Sequence, residues 1–202
     1  MGVGIYIAFE GIDGCGKTYH SGRVYRKLLD LGIDAVLVRE PYYPELREAI
    51  MRRVWNPVSE ALLFTADRIQ LQLEIIEDAL RSGKVVISDR SVYATLAYQA
   101  ARGVPRQLLN FLYELIPIKP HLVILLDVPV EIALARVRES GREVTRFESM
   151  DLLERVREEY LRLASELPNK FIVVDSGRDV ELVEQEVWSH VLRFLKEKGV
   201  VE

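Results

Sequence analysis

The sequence predicts an α/β domain, a five-stranded parallel sheet with helices on both faces. Three observations carry that prediction. Five short, nearly continuous apolar runs read as strands buried on both sides. Amphipathic stretches separate them from end to end, as crossover helices would. One run also leads directly into a glycine-rich turn and then a helix-compatible stretch.

Taken in order, Ile5-Tyr6-Ile7-Ala8-Phe9 is the first strand and Lys17 to Asp30 the first helix. Ile33 to Val38 reads as the second strand, and Glu45 to Val54 as a short helix after Pro44. Ser59 to Arg81 carries a long helical pattern, with Leu62, Leu63, Ala66, Ile69, Leu73, Ile76 and Leu80 on one face. Ser59 is its expected N-cap and Gly83 its expected stop. Val85 to Asp89 is a strand ending in a carboxylate, followed by helices over Ser91–Ala101 and Pro105–Ile116. Leu122 to Asp127 is the most apolar strand, and Glu131 to Arg138 a helix broken by Gly141. A helix from about Phe147 to Leu167, a strand over Phe171–Asp175 and a helix over Val180–Lys198 close the chain.

A chain of 202 residues suits one such domain, spanning 1–202, with a core that needs no staples. Hydrophobic residues at 49% and charged residues at 29% are ordinary for a globular protein. A net charge of −4 argues against a nucleic-acid partner, because such domains carry an excess of Lys and Arg. The single cysteine, Cys15, excludes an internal disulfide and a cysteine metal cluster, and His20, His121 and His190 lie far apart. No signal-like segment opens the chain and no run approaches membrane-spanning length, so no membrane partner and a cytoplasmic location are expected.

Gly11-Ile12-Asp13-Gly14-Cys15-Gly16-Lys17-Thr18 is a complete G-x-x-x-x-G-K-[ST] phosphate-binding loop in the required strand–loop–helix context. Its glycines let successive backbone N–H groups converge on one anion, and the helix N-terminus adds partial positive charge. In such a loop Lys17 reaches the β/γ-phosphates and the Thr18 hydroxyl ligates Mg²⁺, so the fold is of the P-loop nucleoside triphosphate hydrolase type.

Ligands of open parallel sheets sit at the carboxyl ends of the strands. The residues there are Asp13, then Arg39-Glu40-Pro41, then Asp89-Arg90, then Asp127. Asp89 has the position of a metal-holding Walker B carboxylate. Asp127 competes for it, but Arg90 beside Asp89 adds a phosphate contact. Asp175 before Ser176-Gly177 reads as a turn former.

Two further clusters stand out. Gly141 to Glu148, preceded by Arg136 and Arg138, is an arginine-bearing break between helices. A solvated loop explains it on spacing alone, whereas a phosphotransferase would use it as a lid, about 138–148, that excludes water and stabilises charge. In Leu62-Leu63-Phe64-Thr65-Ala66-Asp67-Arg68, Phe64 and Arg68 share a helix face. They suit either a nucleobase, by stacking and edge recognition, or a core ring beside a surface arginine.

Together these motifs resemble the thymidylate kinases, in order and over nearly the whole chain. Phe9 to Thr18 is similar to that family's phosphate loop, Arg39-Glu40-Pro41 to its REP element, and Leu62 to Arg68 to its L-L-F-A-A-D-R helix. Asp89-Arg90 with Ala97-Tyr98-Gln99, then Leu126 to Pro129 and Arg146-Phe147-Glu148, resemble the family's later segments. The resemblance implies phosphorylation of dTMP to dTDP by ATP and Mg²⁺, a step towards dTTP, in a homodimer. It implies that Gly11 to Thr18 hold ATP, with Thr18 and Asp89 at the metal. Asp13 would meet the acceptor sugar, Phe64 would stack on thymine, and Arg68 and Thr95 would bond its edge. Arg39 and Arg90 would hold the acceptor phosphate, and Tyr98 would pack against the sugar. Lys17, Asp13 and Arg90 would serve the transfer itself. Gly14 in the loop implies a catalytic arginine in the lid, with Arg142 first and Arg138 and Arg146 behind it.

The chain departs from the pattern at Tyr42-Tyr43, where two glycines are common, at Ala94-Thr95 and at Tyr19. Two other readings stand beside this one: a kinase of another nucleoside monophosphate or a deoxynucleoside, with Glu40 as base, and a non-catalytic nucleotide switch.

Overall fold

The computed structural model describes residues 4–141, Thr145 and residues 147–201. Five strands, β1 (Ile5–Glu10), β2 (Ala35–Arg39), β3 (Val85–Asp89), β4 (Leu122–Asp127) and β5 (Phe171–Asp175), form one parallel sheet. Their order is β2-β3-β1-β4-β5, so the strand that leads into the phosphate loop lies at the centre. The register places Phe9 beside Asp89 and Ile124, and Arg39 beside Asp89. Three chemically active strand ends therefore meet at one edge of the sheet.

Burial explains the sequence pattern. The inner strands β1 and β3 are buried throughout, whereas the outer β2 and β5 are only partly so. Alternate residues serve opposite faces. Ile5, Ile7, Phe9, Val85 and Ile87 enter the larger core with the later helices, while Tyr6 and Val86 enter a smaller one with Val38, Leu71, Ile76 and Ala79.

The helices flanking this sheet are α1 (Lys17–Asp30), α2 (Pro44–Arg52), α3 (Pro57–Leu71), α4 (Glu77–Arg81) and α5 (Val92–Ala101). α6 (Arg106–Leu115), α7 (Val130–Glu139), α8 (Met150–Glu166) and α9 (Val180–Glu197) complete the set. β2 begins at Ala35 rather than Ile33 because Ile33 belongs to the stop of α1. There the Gly32 N–H donates to Leu29 and the Ile33 N–H to Leu28, with Gly32 at φ 74°. Gly83 ends α4 in the same way, as its sequence position predicts, with Gly83 N–H donating to Leu80 and Lys84 N–H to Ala79.

Residues 59–81 correct the sequence reading most. The cap is Asn56, whose Oδ1 accepts from Val58 N–H at 2.9 Å, with Pro57 at the first helical position. The helix is also interrupted by a π-helical segment, Gln72–Ile76, between α3 and α4. This wider turn rotates the face of α4 relative to that of α3, so no single straight stripe runs through both. Leu62 and Leu73, expected on the buried face, are 50% and 54% exposed. The buried side carries Glu60, Asp67, Arg68 and Gln72 alongside Ala61, Leu71 and the expected Ile76.

The helix expected from Phe147 starts at Met150. A hydrogen-bonded turn precedes it, in which Glu148 N–H donates to the Thr145 carbonyl and Glu148 Oε2 accepts from Thr145 N–H at 2.5 Å.

His20 on α1 is buried, and that burial lowers its pKa from the ordinary 6.5 to about 4. Neutral His20 therefore contributes stability above pH 6.5 that is lost as the pH falls towards 4, at most about 3 kcal/mol. The stability of the wild type relative to His20→Gln should fall across that window, read from thermal melts of both proteins.

Candidate active site

The turn after β1 brings backbone and charge together. Gly11, Gly14 and Gly16 adopt φ of 134°, 89° and 99°, values a side chain would resist. Gly14 has a second reason: a Cβ there would lie 2.2 Å from the Ala133 carbonyl oxygen of α7. The loop is thus pressed against α7, and position 14 has no room for an arginine. Lys17 Nζ donates to the Gly11 and Ile12 carbonyls at 2.9 and 2.8 Å and lies 3.6 Å from Asp13. Cys15 is buried and burial raises its thiol pKa, which makes it a packing residue rather than a nucleophile.

Asp89 and Arg90 follow from β3. Thr18 Oγ1 donates to Asp89 Oδ2 at 2.5 Å, and Arg39 Nε lies 3.5 Å from the same oxygen. Asp89 Oδ1 is buried without a hydrogen-bond partner. Arg90 stands at φ 79°, its N–H donating to the Phe9 carbonyl and its carbonyl accepting from Ser88 Oγ at 2.5 Å. Its guanidinium pairs with Asp13 and lies 5.5 Å from the centre of the Tyr98 ring. Asp127 does not share this site: Arg157 grips it with two hydrogen bonds of 2.6 and 2.8 Å. Asp175 accepts from Gly177 N–H at 2.9 Å, the turn its sequence position predicts.

A cleft of about 620 Å³ joins these groups to a second wall. Its lining includes Asp13, Gly14, Gly16, Lys17, Thr18, Arg39, Asp89 and Arg90 around the phosphate loop, together with Phe64, Arg68, Thr95 and Tyr98. It also includes Glu40, Pro41, Arg47, Met51 and Gln99. The sequence reading made Phe64 and Arg68 a pair on one face; both reach the cleft, but in different states. Phe64 is half-buried, whereas Arg68 is 2% exposed and engaged on every side. Its Nε donates to Glu40 Oε2 at 2.6 Å, Nη1 to Thr95 Oγ1 at 3.0 Å, and Nη2 to the Ser91 carbonyl at 2.8 Å. Burial raises the Glu40 pKa, against the opposing pull of Arg68.

Several supporting residues were not predicted. Asp67 accepts from the Tyr42 and Tyr43 backbone N–H groups at 2.8 and 2.9 Å and so holds the turn after Pro41. Glu10, wholly buried, accepts from Ser91 Oγ at 2.6 Å and Tyr160 Oη at 2.7 Å. Nothing local in the sequence marks either role, because both partners are distant in the chain.

Of the three candidate lid arginines, Arg142 and Arg146 lie outside the described residues. Arg138 is exposed on α7 and is not among the residues lining the cleft. Arg136 is, and its Nη1 donates to the Ser176 carbonyl at 2.9 Å. Arg136 and Ser140, four apart, both line the cleft, and Arg138 is absent from its lining. Phe147 closes this side, its ring 6.4 Å from that of Tyr98.

A family profile described as thymidylate kinase matches residues 9–187. The chain belongs to the thymidylate kinase family. It is 35% identical to the thymidylate kinase of Desulforudis audaxviator, over 96% of this chain and 93% of that one. It is 38% identical to that of Paraburkholderia phytofirmans, over 93% and 97%. The probable thymidylate kinase of Thermococcus gammatolerans is 38% identical, over 94% and 100%. A family of kinases implies Mg²⁺, and the Thr18–Asp89 pair fits it. The pair is a hydroxyl and a carboxylate, with one carboxylate oxygen unengaged, at the foot of the phosphate loop. Mg²⁺ takes few protein oxygens and fills its other positions with phosphate and water.

Because a Cβ at position 14 would meet the Ala133 backbone, Gly14→Ala should displace the loop. ATP affinity is expected to fall roughly tenfold, the cost of about 1–3 kcal/mol of backbone strain. Titration calorimetry checks this, with dTMP binding as the internal control.

Proposed function

We propose that the protein transfers the γ-phosphoryl group of ATP to dTMP, giving ADP and dTDP. One observation supports this above the rest: the phosphate loop and the Phe64–Arg68 wall line the same cleft, so both substrates share one space. The acceptor phosphate oxygen is already a nucleophile, and the chain's part is alignment and charge neutralisation. Lys17 and the loop N–H groups hold the donor phosphates. Mg²⁺, held by Thr18 and Asp89, would neutralise charge on the transferring group.

Arg39 and Arg90 hold the acceptor phosphate, with Asp13 orienting Arg90 and meeting the sugar. Phe64 stacks on the base. Arg68, pinned by Glu40 and Ser91, presents Thr95 to the base edge and keeps that edge of the pocket rigid. Tyr98 walls the sugar, and Arg136, with Arg142 and Arg146 as the remaining lid candidates, attends the transferring group. Engagement of Glu40 by Arg68 speaks against its serving as a base for a nucleoside acceptor.

One continuous sheet supports reading residues 1–202 as a single domain. The one cysteine, free and buried, supports a reducing, cytoplasmic setting. A homodimer is supported by Leu62 and Leu73, half exposed along one side of the α3 region with Ala66 and Ile69 between them.

Steady-state assays of ADP formation with dTMP, dUMP, UMP, dCMP, dGMP, AMP and thymidine test the substrate. Preference for dTMP is expected, and a preferred acceptor other than dTMP overturns the assignment. Phe64→Ala should raise the dTMP KM roughly tenfold, since stacking contributes about 1–3 kcal/mol. An unchanged KM would make Phe64 a packing residue. For assembly, Leu62→Glu with Leu73→Glu should convert a dimer to a monomer in sedimentation equilibrium. A dimer that survives both changes sits on another surface.

A further inference from the structure

Arg47 was marked by no motif, yet it lines the cleft one turn into α2. Its Nη2 and Nε donate to the Pro41 carbonyl at 2.6 and 3.2 Å, which fixes the guanidinium against the turn after Arg39. Among the described residues no carboxylate pairs with it. The neighbouring acids are engaged elsewhere: Glu40 by Arg68, Asp67 by the Tyr42 and Tyr43 N–H groups, Glu48 by Arg52, and Glu74 by Tyr43 and Gln70. An arginine held in place, with its charge unpaired, faces a space already bordered by Arg39 and Arg90. An apolar base or a neutral sugar would give such a charge no partner. A phosphate dianion would.

We propose that Arg47 is a positioning residue for the acceptor's phosphate, a third guanidinium beside Arg39 and Arg90. This rests on the reading of the cleft as a nucleoside monophosphate site. The bond to Pro41 limits the rotamers of Arg47, so little freedom is lost when the phosphate arrives. It also makes the contribution of Arg47 specific to the phosphate end, because the base is held by groups on α3 and α5.

The test compares a nucleotide with its nucleoside. Binding of dTMP and of thymidine is measured by calorimetry for the wild type, Arg47→Ala and Arg47→Lys. Arg47→Ala should weaken dTMP roughly tenfold or more, the size of a lost hydrogen bond to a charged group, and leave thymidine within about twofold. Arg47→Lys should recover part of the loss by retaining the charge. The ATP KM should not move. Equal weakening of dTMP and thymidine would overturn the proposal and make Arg47 a prop for the Pro41 turn. No weakening of either would overturn it as well. If the wild type prefers another monophosphate, the dTMP assignment fails. The same comparison, made with that monophosphate and its nucleoside, then still decides the role of Arg47.

Discussion

A buried guanidinium holds the acceptor half of the cleft together. Arg68 reaches from α3 to Glu40 at the end of β2, to Ser91 at the cap of α5, and to Thr95 one turn further on. Ser91 in turn donates to Glu10 at the end of β1, and Glu10 accepts from Tyr160 on α8. One polar chain thus ties three helices to two strand ends beneath the site. Charges buried this completely are costly unless every partner is present, and a missing partner typically costs about 3–5 kcal/mol. The network therefore specifies one arrangement of the elements around the cleft rather than adding much net stability.

The phosphate end obeys a different logic. Asp13 and Asp89 sit among Lys17, Arg39 and Arg90, so two carboxylates face three cations and the cluster keeps an excess of positive charge beside the cleft. Charged groups positioned before the substrate arrives need no reorganisation as charge moves in the reaction. The loop itself is held by packing: Gly14 touches α7 and Lys17 is hydrogen-bonded to its own loop. The acceptor half is held by buried ion pairs and the donor half by close backbone contact.

Much of this was legible in the residue order. The strand limits of β3 and β4 match the apolar runs, because a parallel strand buried on both faces leaves an uninterrupted apolar signature, and the limits of the partly buried edge strand β5 match as well. The phosphate loop was legible because its chemistry lies within eight consecutive residues. The α3 region was not. Its buried side carries Glu60, Asp67, Arg68 and Gln72 beside Ala61, Leu71 and Ile76, while Leu62 and Leu73 face outwards, so the expected apolar stripe holds only in part. Periodicity cannot reveal that a buried arginine is satisfied by a glutamate 28 residues away, nor that a π-helical segment turns the residues after it.

The sequence by itself determined the fold class, the phosphate loop and the identity of the residues at the strand ends, since each depends on local spacing. Tertiary structure alone decided which of those residues share a space. It set Arg136 in the cleft and Arg138 outside it, bound Asp127 to Arg157 instead of the site, and left Arg47 without a carboxylate partner among the described residues. These outcomes depend on pairings between elements far apart in the chain, where burial and charge compensation choose among partners that local spacing leaves equivalent.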